Sequence, residues 1–270
     1  MQPLSTRKRR IYLYALVALF FLALPAAIFY AQGYRFDQGG VRKTGGIFLS
    51  VPYVGAEVFV DGEKIGESAF LRRSFYIGEL TPDTYRVEVV REEDHPWRRT
   101  LVVEEELVTD AAAFLVPIQL DIVELTRGKG SVATTTNISR TRLNEFIAAF
   151  SREVATTTTS RLGTLLLKDG NVSLAWMEDE VPPSMYCEAP SECRPEIPIE
   201  RGKQEAKNAA FFRDVVVYAT KEGGVYLSEA DLRPTALVVP LYSKPGSDFR
   251  VIDERLIIKD GERLYEILGL

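Results

Sequence analysis

The stretch that decides the fold runs from Gly46 to Gly66 and reads GIFLSVPYVGAEVFVDGEKIG. Ile47, Leu49 and Val51 alternate with Phe48 and Ser50. Ala56, Val58 and Val60 then alternate with Glu57, Phe59 and Asp61. A period of two sends successive side chains to opposite faces, so each run predicts a strand with one buried face. Asp61-Gly62 and Gly66 punctuate the runs as turn signals. Gly62 and Gly66 are expected to supply positive φ, and Asp61 to hydrogen-bond its own turn backbone. Pro52 is expected to stiffen the start of an edge strand. All of these read as turn formers in preference to ligand-binding groups.

Working toward the C-terminus, Tyr85, Val87 and Val89 alternate with Arg86, Glu88 and Val90, and Leu101 and Val103 with Val102 and Glu104. Ala113 and Leu115 mark a last strand before Pro117. Five or more short strands separated by turns predict a small β-sandwich over residues 46–117. Working toward the N-terminus, residues 33–45 hold Gly33, Gly39, Gly40 and Gly45 among scattered charges and read as a linker.

Before that linker, Arg7, Lys8, Arg9 and Arg10 precede an uncharged apolar run from Ile11 to Tyr30. At ~1.5 Å per residue such a run spans a hydrocarbon core of ~30 Å, and in lipid its backbone must be helical. Residues 11–32 are therefore expected to cross the lipid bilayer once. The basic flank favours a cytoplasmic tail over residues 1–10, with everything after the helix outside. A cleavable signal peptide is the other reading, with Ala26, Ala27 and Ala31 near a cleavage site, but its apolar part is typically only about 7–15 residues.

The residues Ser50, Pro52, Gly55, Ala56, Val58, Val60, Asp61, Gly62 and Gly66, in this order and spacing, resemble the PEGA domain, a small extracytoplasmic β-sandwich family. Thr81-Pro82-Asp83-Thr84-Tyr85-Arg86-Val87 is similar to its second motif, with Asp83 where a glycine is usual. The resemblance covers residues 46–117 and implies an envelope location with binding or spacing roles. It carries over no catalytic residues. The order of anchor, sandwich and C-terminal region resembles bacterial single-pass PEGA-domain proteins.

Residues 118–270 read as a chain of hairpins. Leu165–Leu167 and Val172–Trp176 flank Asp169-Gly170, and Val215–Thr220 and Val225–Glu229 flank Glu222-Gly223-Gly224. Ala236–Tyr242 and Phe249–Ile252 follow, and Leu256–Lys259 and Leu264–Ile267 flank Asp260-Gly261. Asp-Gly between apolar runs is a strong hairpin signal. A propeller blade takes ~40–45 residues, so at most about three blades fit, and a propeller-like fragment is expected in place of a closed ring. One short helix is expected where Leu143, Phe146, Ile147 and Phe150 fall at helical spacing, capped by Ser139 or Thr141. Threonine runs at Thr134–Thr136 and Thr156–Thr159 echo one another with a period of 22 residues. The fold class is thus mainly β, behind a transmembrane helix.

The net charge of -5, with four of the basic residues before the helix, argues against nucleic acid as a partner. Cys187 and Cys193 are the only cysteines, and outside the cytoplasm they are expected to form a disulfide closing a loop around Pro190. Two thiolates alone do not make a zinc site, and no metal or cofactor is expected. His95 is the single histidine and shares no local pattern with a serine nucleophile. The acidic residues Glu178, Asp179, Glu180, Glu229 and Asp231 are the remaining candidates for paired-carboxylate chemistry. The expectation is a non-enzymatic, membrane-anchored envelope protein, with an envelope protein or cell-wall glycan as partner. The alternative is an extracytoplasmic carboxylate-dependent hydrolase acting on cell-wall glycan.

Overall fold

A computed structural model describes residues 6–37, 40–126, 138–176, 180–199 and 205–270. The chain is mainly β, with 50% strand and 16% helix, and the sheets do not close into a barrel. The threonine run at Thr134–Thr136, Gly39, Glu178 and Asp179 lie outside the described residues.

Helix α1 runs Thr6–Ala31 and is long and apolar enough to cross a membrane. None of its apolar window is covered by the rest of the protein. The stretch expected as a plain linker carries a hairpin, Tyr34–Asp37 against Gly40–Lys43. Arg35 explains part of this order. Its guanidinium lies 3.8 Å from the Tyr30 ring centroid and donates to the Tyr30 carbonyl oxygen at 3.2 Å. That carbonyl belongs to the last turn of α1, where intrahelical donors run out. Arg35 also pairs with Glu79 at 2.7 Å, and Lys43 with Glu106 at 2.5 Å, so the hairpin bridges the helix end and the sandwich.

The sandwich packs a three-stranded sheet on a four-stranded one. The first orders Val108–Ala112, Gly45–Ser50 and Ser74–Leu80; the second orders Glu63–Glu67, Glu57–Val60, Asp83–Val90 and Trp97–Val103. Ile47, Leu49, Val58, Val87, Val89 and Leu101 are fully buried between them, as period-two alternation requires. The strand expected at Ala113 and Leu115 lies earlier, at Val108–Ala112, and pairs in parallel with Gly45–Ser50; only the two-residue strand Val116–Pro117 follows it in this region. Ser74–Leu80 escaped the sequence reading because Gly78 and a left-handed Glu79 (φ 61°) interrupt its alternation.

Among the described residues the C-terminal unit holds three four-stranded antiparallel sheets and one two-stranded pair, Cys187–Ala189 with Glu192–Cys193. The first joins Thr157–Ser160, Gly163–Lys168, Asn171–Ala175 and Glu196–Pro198. The second joins Ala206–Phe212, Val215–Thr220, Val225–Ser228 and Val238–Tyr242. The third joins Asp248–Ile252, Arg255–Asp260 and Arg263–Leu268, and is completed by Asp121–Glu124 from the start of the unit. That last pairing ties the two ends of the unit together. Asn208 links the second and third sheets by donating to Asp248 Oδ1 at 3.0 Å and to the Phe249 carbonyl at 2.8 Å.

Helix α2, Arg140–Ala149, lies on the third sheet, with Phe146 buried beside Ile257, Leu264 and Leu125. Ser139 caps it by accepting from the Arg142 amide at 3.2 Å. Arg250 donates to the carbonyls of Ala149 and Arg152, both at 3.2 Å, satisfying acceptors at the helix C-terminus. Ile147 points off the packed face and is half exposed.

Candidate functional site

The sandwich and the C-terminal unit meet along a seam that period-two geometry sets up. In Trp97–Val103 the residues Trp97, Arg99, Leu101 and Val103 share the inward face. Leu101 and Val103 fill the sandwich core. Arg99, on that same face, is covered by the segment 229–235 that follows strand Val225–Ser228. Trp97 Nε1 donates to Glu229 Oε1 at 2.9 Å across 132 residues of sequence. The Arg99 guanidinium pairs with Glu229, and its Nε stands 3.6 Å from Asp231 Oδ2. Arg233 completes the group, donating to Asp231 at 2.8 and 2.6 Å and to the Asp110 carbonyl at 2.9 Å. The backbone amide of Leu237 adds a donor to Glu229 at 3.3 Å. Two arginines thus balance two carboxylates, and all four side chains are buried.

Burial pushes the Glu229 carboxyl above its ordinary value, while the Arg99 guanidinium and the Trp97 indole pull it back. The segment holds its shape under strain. Thr235 sits at φ 71°, disfavoured for a β-branched residue, and its hydroxyl donates to the Arg98 carbonyl at 3.0 Å. A second tether comes from the disulfide. Cys187 and Cys193 are bonded and close a hairpin, whose tip residue Ser191 donates to Glu104 of the sandwich through its amide at 2.9 Å and its hydroxyl at 2.6 Å.

Beside the cluster lies a cavity of about 650 Å³ walled by both units. Phe114 and Leu115 come from the sandwich side, and Leu162, Met185, Phe212 and Leu227 from the C-terminal unit. A second cavity of about 680 Å³ sits among α2 and the leading strands of the three sheets. It is more polar, and Arg142 and Arg250 in its lining are paired with Glu145, Asp253 and Asp248.

The residues singled out by sequence fall as follows. Asp61 takes φ 49° and Gly62 φ 84°, as a tight turn demands. The Asp61 side chain accepts from the Arg86 amide, in the neighbouring strand Asp83–Val90, at 2.8 Å, and so reaches across the sheet and not only to its own turn. Gly55 has φ 76°, and Ala56 is fully buried with its amide donating to Ser68 Oγ at 2.8 Å. Gly66 has ordinary φ; its reason is space. A Cβ there would come within 3.1 Å of both Arg72 Nη2 and Phe75 Cε1. Pro52 starts no edge strand: it lies in the loop after Gly45–Ser50, the middle strand of its sheet, and is exposed and lines the first cavity. Glu92 and Glu93 form an exposed turn, whereas Asp94 and His95, which follow, are tied into the fold. Asp94 is buried and paired with Arg91, and Asp94–His95 pairs with Val116–Pro117. Trp97 and Tyr186 are fully buried, whereas Tyr76 is exposed and lies over Gly46 and Gly78.

Glu229 and Asp231 do converge, but on arginines within the seam. Glu180 is exposed, and its carbonyl accepts from Trp176 Nε1 at 3.0 Å. Arg99 and Arg233 were missed by the sequence reading. The signal was present for Arg99, since a charge at an inward position of an alternating strand requires a buried partner. Among the described residues no group of three or more His, Cys, Asp and Glu side chains gathers in metal-binding arrangement. No protein-family model matches the chain, and no curated protein matches it.

Proposed function

We propose that this is a non-enzymatic, single-pass membrane protein of the cell envelope, with its N-terminus cytoplasmic and both β units outside. On this reading residues 46–117 form a PEGA-like sandwich near the membrane, and residues 118–270 form an interaction unit carried on it. The observation that carries the reading is the buried seam. Glu229 and Asp231 face Arg99 and Arg233 in a charge-balanced cluster between the two units. A carboxylate held by a guanidinium is fastened in place and is poorly suited to exchange protons with a substrate. The apolar α1, the disulfide and the two ion pairs from the hairpin to the sandwich base fit a unit held at a set distance from the bilayer.

The test is a soluble outer part beginning near Arg42, incubated with peptidoglycan and polysaccharide and separately used to capture partners from envelope fractions. No released product and a saturable partner are expected. Turnover that vanishes in Glu178→Gln or Glu229→Gln would replace this reading with the carboxylate-dependent hydrolase.

A further inference from the structure

The two outer faces of the sandwich differ. On the four-stranded sheet the outward positions carry Glu57, Arg86, Glu88 and Arg98, with Lys64 paired to Glu57 and Arg98 to Glu88. That is the polar outside expected of a sheet with one wet face. On the three-stranded sheet the outward positions carry Phe48, Tyr76 and Val108, which are 39%, 66% and 47% exposed. Phe48 stands directly opposite Tyr76, and Val108 opposite Gly46. Gly46 and Gly78 clear the face, since a Cβ on either would come within 3.1 Å of the Tyr76 ring. The ring therefore joins Phe48 to Val108 in one apolar patch, which the exposed Leu107 extends.

The patch sits at the end of the sandwich that meets α1. Thr44 donates its amide and its hydroxyl to the Gly33 carbonyl, both at 3.0 Å, and its own carbonyl accepts from the Glu106 amide at 3.2 Å. The Gly46 amide donates to the Leu107 carbonyl at 3.0 Å. On the other side Glu79, three residues after Tyr76, pairs with Arg35, whose guanidinium lies on the Tyr30 ring. Gly45–Ser50 leads away from this end, and at ~3.3 Å per residue Ser50 lies ~17 Å along the strand. A second exposed apolar tip, Phe70-Leu71, lies beyond Ser74, the partner of Ser50, and so at the opposite end.

We propose that Leu107, Val108 and Tyr76 rest in the head-group layer of the bilayer that α1 crosses, seating the sandwich on the membrane. The proposal rests on that reading of α1. A bilayer is the apolar surface that α1 calls for, because the apolar window of the helix is uncovered by the rest of the protein. A patch tied to the helix end by backbone bonds meets that surface at high effective concentration. The head-group layer is about 5–7 Å deep on each side, enough to take side chains beside the helix end. A tyrosine there keeps its ring in apolar surroundings and its hydroxyl in water. Arg35 and Lys43 neutralise Glu79 and Glu106, and Glu105 stays exposed, so the fit is to a zwitterionic surface and not to a strongly anionic one.

The full chain, methyl-labelled at leucine and valine, is placed in phosphatidylcholine nanodiscs that carry a nitroxide either on the head group or deep in the acyl chain. Nuclear magnetic resonance reads the broadening of each methyl signal. The head-group nitroxide should broaden Leu107 and Val108 and spare Val54 and Leu71, and the deep one should broaden Leu19 of α1. Val108→Glu, at a half-exposed position, keeps the native circular dichroism and should remove the broadening of Leu107 while leaving that of Leu19. A broadened Leu19 with Leu107 and Val108 untouched would overturn the seating and spare the anchor; an untouched Leu19 would overturn both. Leu71 broadened as much as Leu107, broadening of Leu107 unchanged in Val108→Glu, or Leu107 and Val108 signals that follow protein concentration in place of lipid, as in a dimer, would each overturn the proposal.

Discussion

Among the described residues Arg99 is the one guanidinium paired with Glu229, so replacing it with methionine strips Glu229 of that partner and leaves Asp231 with Arg233. The cluster then passes from two charges of each sign to one uncompensated negative charge, at a site where Glu229 is 8% exposed. Breaking a buried pair from one side typically costs about 3–5 kcal/mol. Methionine refills much of the volume, so the loss is electrostatic more than a cavity effect. The double variant Arg99→Met/Glu229→Gln restores charge balance and should recover about 2 kcal/mol or more of the single variant's deficit.

The pH dependence has a definite sign. Burial holds the Glu229 carboxyl above its ordinary value. A carboxyl raised in the folded state contributes most to stability when protonated, below its ordinary pKa of about 4.3. That contribution is lost as pH rises through the raised folded value. Without Arg99 the carboxyl rises further, so the deficit of Arg99→Met should be small near pH 4 and largest near pH 7.5. Urea denaturation of the outer part, followed by tryptophan emission and circular dichroism, measures both effects. A deficit under about 1 kcal/mol at neutral pH, or a double variant no more stable than the single one, would refute the role assigned to the cluster.

Protease added to intact cells should remove everything past Gly33; a protected C-terminal unit that is digested only after lysis would reverse the orientation. The Cys187–Cys193 peptide should run two hydrogens lighter without reduction, and Cys187→Ser/Cys193→Ser should lower stability by about 2 kcal/mol for so short a loop, measured by thermal melting. Gly45→Ala should be far more damaging than Gly62→Ala. A Cβ at Gly45 meets the Glu104 carbonyl at 2.1 Å and the Leu107 carbonyl at 2.8 Å, whereas at Gly62 it faces open space and costs only the backbone strain of φ 84°, about 1 kcal/mol. Equal melting temperatures for the two variants would contradict the close packing around Gly45.

Local pattern determined much of this protein. An uncharged run of membrane length dictates a helix, and Ile47, Leu49, Val58, Val87 and Leu101 fall inward because strand geometry has period two. Asp169-Gly170 and Asp260-Gly261 force hairpins, because few residues tolerate the backbone angles of such turns. Ser139 and Phe146 announced α2 through capping and helical spacing. Cys187 and Cys193 announced a bond through their proximity and the compartment implied by the anchor.

What pattern leaves open is pairing between distant segments, since hydrogen bonds of the backbone are alike in every strand. Only the tertiary structure decided that Val108–Ala112 runs parallel to Gly45–Ser50 and that Asp121–Glu124 completes the last sheet beside Arg263–Leu268. The same holds for the seam. Glu229 and Asp231 looked like candidate chemistry because a sequence shows charges without their counter-charges. Arg99 lies 130 residues away from Glu229, and only folding brings the guanidinium to the carboxylate and turns two acids into a fastening between units.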